Sequence, residues 1–539
     1  MRRSITALIL MAVLLASAGP ARAYTLQFAD GSSSVRIKWP NNVVTIALSS
    51  SLGSPPVNIK AGSDVTGAAR RALSQWAGAS NIRFVEVSSS AQSVSPSNGG
   101  DALSLITVAN TAENAALFTG SDRPGRTRVF FDPATGLISE ADIALNPSAQ
   151  FSTDGTFGTY DLEAVLTHEI GHLLGLEHSG MVGATMQPRL ALNGLYTLPA
   201  FSPRTLSEDD RAGVRSLYGP QVGQGAIAGS VSYAGGAPAY GAHVWAQDIS
   251  TGRSIAGTIS SASGAYRIED LPPGQYRLVV EHLNGNVIAS EIASSGGAYA
   301  GLSNPQAAFR ATEVSDQITI VAAGVVLLNI SLSGGQPFLN PRLLGINGQL
   351  STIAVPLAPG RTFTVYVGGE GLDQVAGQGI TTTSPYMTVE PQSLVLQQLG
   401  TTYPIISFNI KLDRDIPAGE YDLRFRSNSG EVSYIAGGLT VDDEGGPPLS
   451  LEAGEAGGDE VAGGMNPADW ALAGTDAPSL LAASAADYLS GESAPSARPY
   501  GAGKVDGAGR SRSGAFDPLQ SAAEERFQAL VQPLSNPTH

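Results

Sequence analysis

The stretch His168-Glu169-Ile170-Gly171-His172-Leu173-Leu174-Gly175-Leu176-Glu177-His178 decides how this chain reads. His168 and His172 are four residues apart, so on a helix they project from one face and can share one metal ion. The preceding run from Asp161 to Thr167 is helix-compatible, with Thr159 or Asp161 as its N-cap. Gly175 permits the left-handed turn that ends a helix, so the chain reverses and returns His178 to the same point. Three neutral imidazoles leave a fourth position on zinc open for water, which marks a reactive rather than a structural site. Glu169 follows the first ligand and can reach that water to take its proton. A lone His-x-x-x-His pair is more often two unrelated surface histidines. Here five specified positions agree in a chain of six histidines, three of which lie in this motif, so coincidence is a poor account.

On this H-E-x-x-H-x-x-G-x-x-H pattern the chain resembles the metzincins, and within them the matrixins, the matrix-metalloprotease-like branch. Two downstream features carry the narrower resemblance. Ser179 follows the third histidine, and Gly183-Ala-Thr-Met186-Gln-Pro188 resembles the family's Met-turn, which would place Met186 beneath the zinc. Leu206-Ser207-Glu-Asp209-Asp210 through Gly219 resembles the helix that closes matrixin catalytic domains, with Ser207 as N-cap and Val214 and Leu217 on one side. The resemblance implies that Asp209 and Asp210 tie this helix to the Met-turn and to the mature amino terminus. It implies one catalytic Zn2+ held by His168, His172 and His178, Glu169 as general base, and protein or peptide substrates. It also implies Ca2+, in a number that the sequence does not fix. Acidic loops near Asp101, Asp122 and Asp132 are the candidates, and none shows a complete ligand pattern. The side chain after the scissile bond is expected to be apolar, and the small Ala164, one turn before His168, leaves room for a deep pocket.

The departures matter as much. The chain has no cysteine, so a cysteine-switch propeptide cannot exist. No histidine precedes His168, so a histidine-rich structural zinc site is absent. Pro188 is followed by Arg189-Leu190 rather than by the family's tyrosine, and Leu190 to Pro203 reads as a differently built wall for the specificity pocket.

With 539 residues the chain is too long for one ordinary domain. Its net charge of −16 argues against nucleic-acid binding and against attraction to anionic membranes. Residues 1–23 read as a secretory signal: Arg2-Arg3, an apolar run from Ile5 to Ala16, and the small-residue site Ala21-Arg-Ala23. Without Arg2, Arg3 and Arg22, 28 basic residues face 47 acidic ones, a net charge of −19. No later stretch is long and apolar enough to span a bilayer as a helix. A cysteine-free chain with a short signal suggests a bacterial exported protein, secreted or at the cell surface, whose domains need cores of their own. A monomer is expected.

The expected architecture is multidomain: an α+β metzincin catalytic domain, a twisted mixed sheet plus the zinc-site helix, followed by two all-β sandwiches. Residues 24–220 form the first unit. Val44–Leu48, Ile82–Val87, Leu105–Val108, Arg128–Phe131 and Ala141–Leu145 read as strands, and a helix capped by Ser63-Asp64 runs to Gly78. A sheet edge beside the zinc can take a peptide as an added strand, and Val129–Phe131 is the candidate edge, with an interior core strand as the other reading. Residues 221–334 resemble the carboxypeptidase regulatory-like, transthyretin-type β-sandwich through Gly264-Ala-Tyr266-Arg-Ile-Glu-Asp-Leu-Pro-Pro-Gly-Gln-Tyr276. Tyr266, Ile268, Leu271, Tyr276, Leu278 and Val280 are expected to form one hairpin with a buried face, and His243 and His282 to be structural or surface residues. Residues 335–443 carry further strands, including Thr362–Val367 and Tyr421–Phe425, and resemble immunoglobulin-like domains. The Gly/Ala/Ser-rich, acidic stretch 444–539 reads as largely disordered, with a short helix possible over Gln520–Leu530. A chain ending near Pro220 is expected to keep its chemistry. Two other readings stand beside this one: a surface binding or adhesion protein with a vestigial zinc domain, and a zinc hydrolase acting on a non-peptide substrate.

Overall fold

In the computed structural model the alternating run around Val44 becomes β1 (Val43–Ser49), which pairs in parallel with β2 (Arg83–Ser89) and with β3 (Leu105–Thr107). The structure describes residues 24–29, 35–97, 99–198, 204–292, 299, 308–314, 316–398 and 401–442, together with the backbone of 514–516. Between β1 and β2 lies helix α1 (Val65–Ala79), capped by the Asp64 carboxylate on the Gly67 amide. Gly78 lies inside this helix, which ends one residue later, beyond the stop expected from the sequence. Its buried face is Val65, Ala69, Ala72, Leu73 and Trp76, as the 3.6-residue spacing predicts. β5 (Ile138–Leu145) extends the sheet in parallel, and β4 (Gly125–Phe131) joins β5 antiparallel.

The resulting sheet order is β2-β1-β3-β5-β4, and β4 is followed by one more strand, Gly514–Phe516, antiparallel to Val129–Phe131. β4 therefore stands at the edge of the contiguous domain, and an extended segment from the distant acidic stretch lies on it. The expected signal segment, the disorder expected over 444–539 apart from 514–516, and the short helix expected at Gln520–Leu530 fall outside the described residues. Helix α2 (Leu162–Leu173) packs across the sheet beside α1, and α3 (Glu208–Tyr218) closes the unit. α3 begins with a reciprocal capping box between Ser207 and Asp210.

The next region is a sandwich of two sheets. One contains β8 (Ser254–Ile259), β7 (Ala242–Asp248) and β10 (Gly274–His282), and the other pairs β9 (Ala265–Leu271) with β6 (Gly225–Ser232). The expected Tyr266–Val280 hairpin is therefore not one. β9 and β10 belong to different sheets, and their apolar residues meet across the core instead of side by side. A register shift between Ile268 and Leu271, with Asp270 at φ 54°, takes the chain out of the β6–β9 sheet before Pro272. A short helix, α4 (Ala289–Ile292), follows β10.

Two more sheets occupy residues 340–441. One is built on β11 (Asn340–Gly345), β12 (Thr362–Glu370) and β14 (Ile405–Leu412), the other on β13 (Val375–Thr382), β15 (Gly419–Ser427) and β16 (Val432–Val441). The three units are not separate bodies. One continuous apolar cluster runs from Leu26 and Trp76 through Tyr266 and Leu278 to Phe408 and Leu439. A second cluster joins Met181 and Ala184 of the first unit to Trp245 and Val279 of the second and Tyr434 and Ala436 of the third. Among the described residues no helix is long and apolar enough to cross a membrane.

Candidate active site

α2 carries the first half of the site. Asp161 is its N-cap, accepting from the Ala164 amide at 2.9 Å, and Arg204 pairs with the same carboxylate. The helix is buried on every side, and its glycine is there for space. A Cβ on Gly171 would lie 2.2 Å from Met186 Sδ and 3.0 Å from Trp76. That places Met186 directly against the backbone between the two helical ligands, as the Met-turn resemblance implies. Gly175 takes φ +95°, and its Cα faces the Ile37 carbonyl so closely that any side chain would collide. The chain then runs back beside the segment 25–27, where the Gln27 amide bonds Gly175 O and the Glu177 amide bonds Thr25 O. His178 follows at once.

The three imidazoles converge. His168, His172 and His178 are all buried, and each offers a ring nitrogen within 4.8 Å of the others. Every Nδ1 lies against a backbone carbonyl: Thr185 O at 2.8 Å from His168, Leu176 O at 2.9 Å from His172, and Glu291 O at 2.7 Å from His178. A carbonyl can only accept, so each Nδ1 carries the proton and each Nε2 presents a lone pair. Burial holds His168 down to about 4 and His172 and His178 well below the usual range, so all three stay neutral. Three neutral nitrogen donors facing one another suit a borderline-soft divalent cation such as zinc. Among the described residues this is the one cluster of three or more such side chains gathered closely enough to hold a metal.

Glu169 points to the opposite wall. Its Oε2 is 2.6 Å from Thr127 Oγ1 on β4, and Gly125 passes so near that a Cβ there would lie 2.7 Å from Glu169 Oε1. Burial pushes the Glu169 carboxyl up to about 7, opposed by the Thr127 hydroxyl and by the charges of Arg123 and Arg126. Sequence reasoning missed Thr127 because nothing in the strand pattern distinguishes it from any other strand threonine.

The two aspartates divide their work. Asp210 accepts from the Thr185 and Met186 amides at 2.7 and 3.1 Å, which ties α3 to the segment around Met186. Asp209 accepts from Ser179 Oγ at 2.6 Å and from the Gly257 amide of β8 at 2.7 Å. Its second partner is thus the Gly257 amide of the sandwich. Burial, with Asp210 close by, raises the Asp209 carboxyl to about 7.

The wall after Pro188 also leans on later units. Tyr196 is fully buried, with its hydroxyl within hydrogen-bond distance of Leu344 O and Ile353 O. Gln187 Nε2 reaches Thr352 O. Ala164 in α2 is wholly buried. Of the acidic candidates for calcium, Asp132 accepts from the Ala134 and Thr135 amides of its own turn, and Asp101 accepts from the Leu103 amide. His243 stacks on Trp245 and His282 meets Phe309 edge-on, so both are packed rather than gathered with other ligands.

A metal-binding helix, a returning third histidine and a methionine turn beneath them define the metzincin class of site. Residues 38–219 match the matrixin family, and residues 226–298 match the carboxypeptidase regulatory-like domain. Similar curated proteins include metalloendoproteinase 1-MMP of Arabidopsis thaliana, 32% identical over 188 residues that cover 34% of this chain and 45% of that protein. Interstitial collagenase of Oryctolagus cuniculus is 27% identical over 157 residues, 29% of each chain. The chain thus spans less than half the length of these relatives. Among solved structures, the major pilin subunit of Bacillus cereus overlaps 39% of this chain and 66% of its own at 12% identity, with a TM-score of 0.14, too low to carry any argument.

Proposed function

We propose that the chain is an exported, zinc-dependent endopeptidase that hydrolyses internal bonds of extended protein segments. The observation that carries this reading is the convergence of three Nε2 atoms, each oriented by a carbonyl at its Nδ1, with Glu169 next to His168 in the same helix. His168, His172 and His178 would hold the ion, which when bound polarises a carbonyl and makes a water easier to deprotonate. Glu169 takes the proton from that water and delivers it to the leaving amine. Thr127 keeps the carboxylate turned toward the cleft, and a carboxyl poised near neutrality suits both transfers. β4 supplies the backbone partner for substrate. That an antiparallel segment, Gly514–Phe516, lies on Val129–Phe131 supports the capacity of this edge to take an added strand. Export rests on the character of residues 1–23.

The test is cleavage of an unfolded protein such as casein by the purified chain, with and without a chelator. Glu169→Ala should keep its zinc and its melting temperature yet lose roughly 10²–10⁴ in kcat/KM. Near-normal hydrolysis by that variant would overturn the mechanism. Zinc binding with no hydrolysis of any protein by the parent chain would favour a binding role.

A further inference from the structure

We infer that the carboxypeptidase regulatory-like sandwich completes the metal site, and that Glu291 and Arg189 are positioning residues for His178. The inference rests on the zinc reading above. His168 and His172 are oriented by carbonyls of their own unit, Thr185 and Leu176. His178 is the ligand that stands outside α2, and its Nδ1 partner is Glu291 O, more than a hundred residues later in α4. A hydrogen bond at that nitrogen fixes the tautomer and the ring plane, and so decides whether Nε2 points at the metal.

α4 is a single turn of four residues and cannot hold its own position. The Glu291 side chain, 3% exposed, holds it. One carboxylate oxygen accepts from the Ile288 amide at 2.9 Å, and the other is ion-paired with Arg189. Arg189 also donates to Asn286 O at 2.5 Å. Arg189 comes three residues after Met186, so the wall of the cleft grips the sandwich segment that orients the third ligand. The loop closes on itself: Met-turn, Arg189, Glu291, His178. A second tie supports it from the other side, since Gly257 N holds Asp209, which holds the Ser179 hydroxyl next to His178. A partner shell of this kind is typically worth roughly 10–100-fold in metal affinity.

The experiment uses the full chain and three variants, Glu291→Ala, Arg189→Ala and Arg189→Lys. Zinc affinity is read by competition with a chromophoric chelator, and ligand geometry by the visible absorption of the cobalt(II) form. Both alanine variants should bind zinc roughly 10–100-fold more weakly, with altered cobalt bands. Arg189→Lys, which keeps the charge opposite Glu291, should recover most of the affinity. Folding is checked by circular dichroism, and if Glu291→Ala does not fold, the two Arg189 variants decide. Unchanged affinity and an unchanged cobalt spectrum in folded alanine variants would overturn the inference and leave the zinc reading standing. A parent chain that binds no zinc would instead overturn the zinc reading, and the inference with it.

Discussion

Thr127 shows how a buried carboxylate is held by a neutral hydroxyl. Its hydroxyl lies 2.6 Å from Glu169 Oε2, on a strand that arrives from outside the zinc helix. Thr127→Val should retain zinc and fold while lowering kcat by roughly tenfold, the scale of one lost hydrogen bond to a charged group. An unchanged kcat would mean that Glu169 orients itself. Glu281 is a different case, a carboxyl caught where β10 meets β16, with Ser433 Oγ and the Tyr434 amide donating to one oxygen. Burial raises it from 4.5 to about 7. The folded chain thus favours its protonated form. Its contribution to stability is complete below about pH 4.5 and is lost as pH rises through 7, at most about 3 kcal/mol. Glu281→Gln, which needs no proton, should therefore melt progressively higher than the parent between pH 5 and pH 8, and parallel curves would refute the assignment. At this scale the convergence of His168, His172 and His178 was legible because one contiguous motif holds them. Thr127, Arg189 and Glu291 were not, since each acts through a neighbour far away in sequence.

Among the elements, those with a strong local period read well. α1, α2 and α3 and strands β1 to β5 appear close to where spacing and capping place them, since each follows from residues within one turn or one pleat of each other. The Tyr266–Val280 pair failed for a physical reason. Alternation reports which face of a strand is buried, not which sheet it joins, and two strands facing one core across a sandwich alternate like two neighbours in a hairpin. β4 was left open between an edge and an interior reading, and in the sheet it lies between β5 and Gly514–Phe516. A substrate that pairs with Val129–Phe131 has to compete with that segment. A chain ending at Asp442 should then show a KM several-fold lower on an extended peptide with kcat unchanged. An equal KM would show that substrate binds elsewhere or that the segment offers no obstacle.

Across the whole molecule, the expectation of a self-sufficient unit ending near Pro220 gives way to a shared core. Cutting the chain there would uncover Met181, Ala184 and Tyr196, and would strip His178, Asp209 and Arg189 of the partners described above. The shared apolar contacts and the partners of the buried His178 and Asp209 cannot be lost without consequence. The piece 24–220 should show a lower melting temperature and weaker zinc binding than 24–442, by calorimetry and chelator competition. Equal values would restore the picture of independent units. Composition and alternating runs revealed that β-rich units follow the first. They could not reveal that those units are fused to it, because the contacts that join them are ordinary buried side chains.

The joining segment itself is thin. Pro220, Gln221, Val222 and Gly223 are exposed, and Val222 keeps 90% of its surface in solvent. If the chain cleaves peptides as proposed, such a segment is where one copy would cut another in a concentrated solution. Because the two sides are glued by the common interior rather than by this strip, a severed molecule should keep its outline and its metal. With no cysteine to bridge the halves, it would run as two bands on a denaturing gel while still eluting as one particle. Ageing preparations would then look degraded by one method and intact by another, and only the second would report on the working molecule.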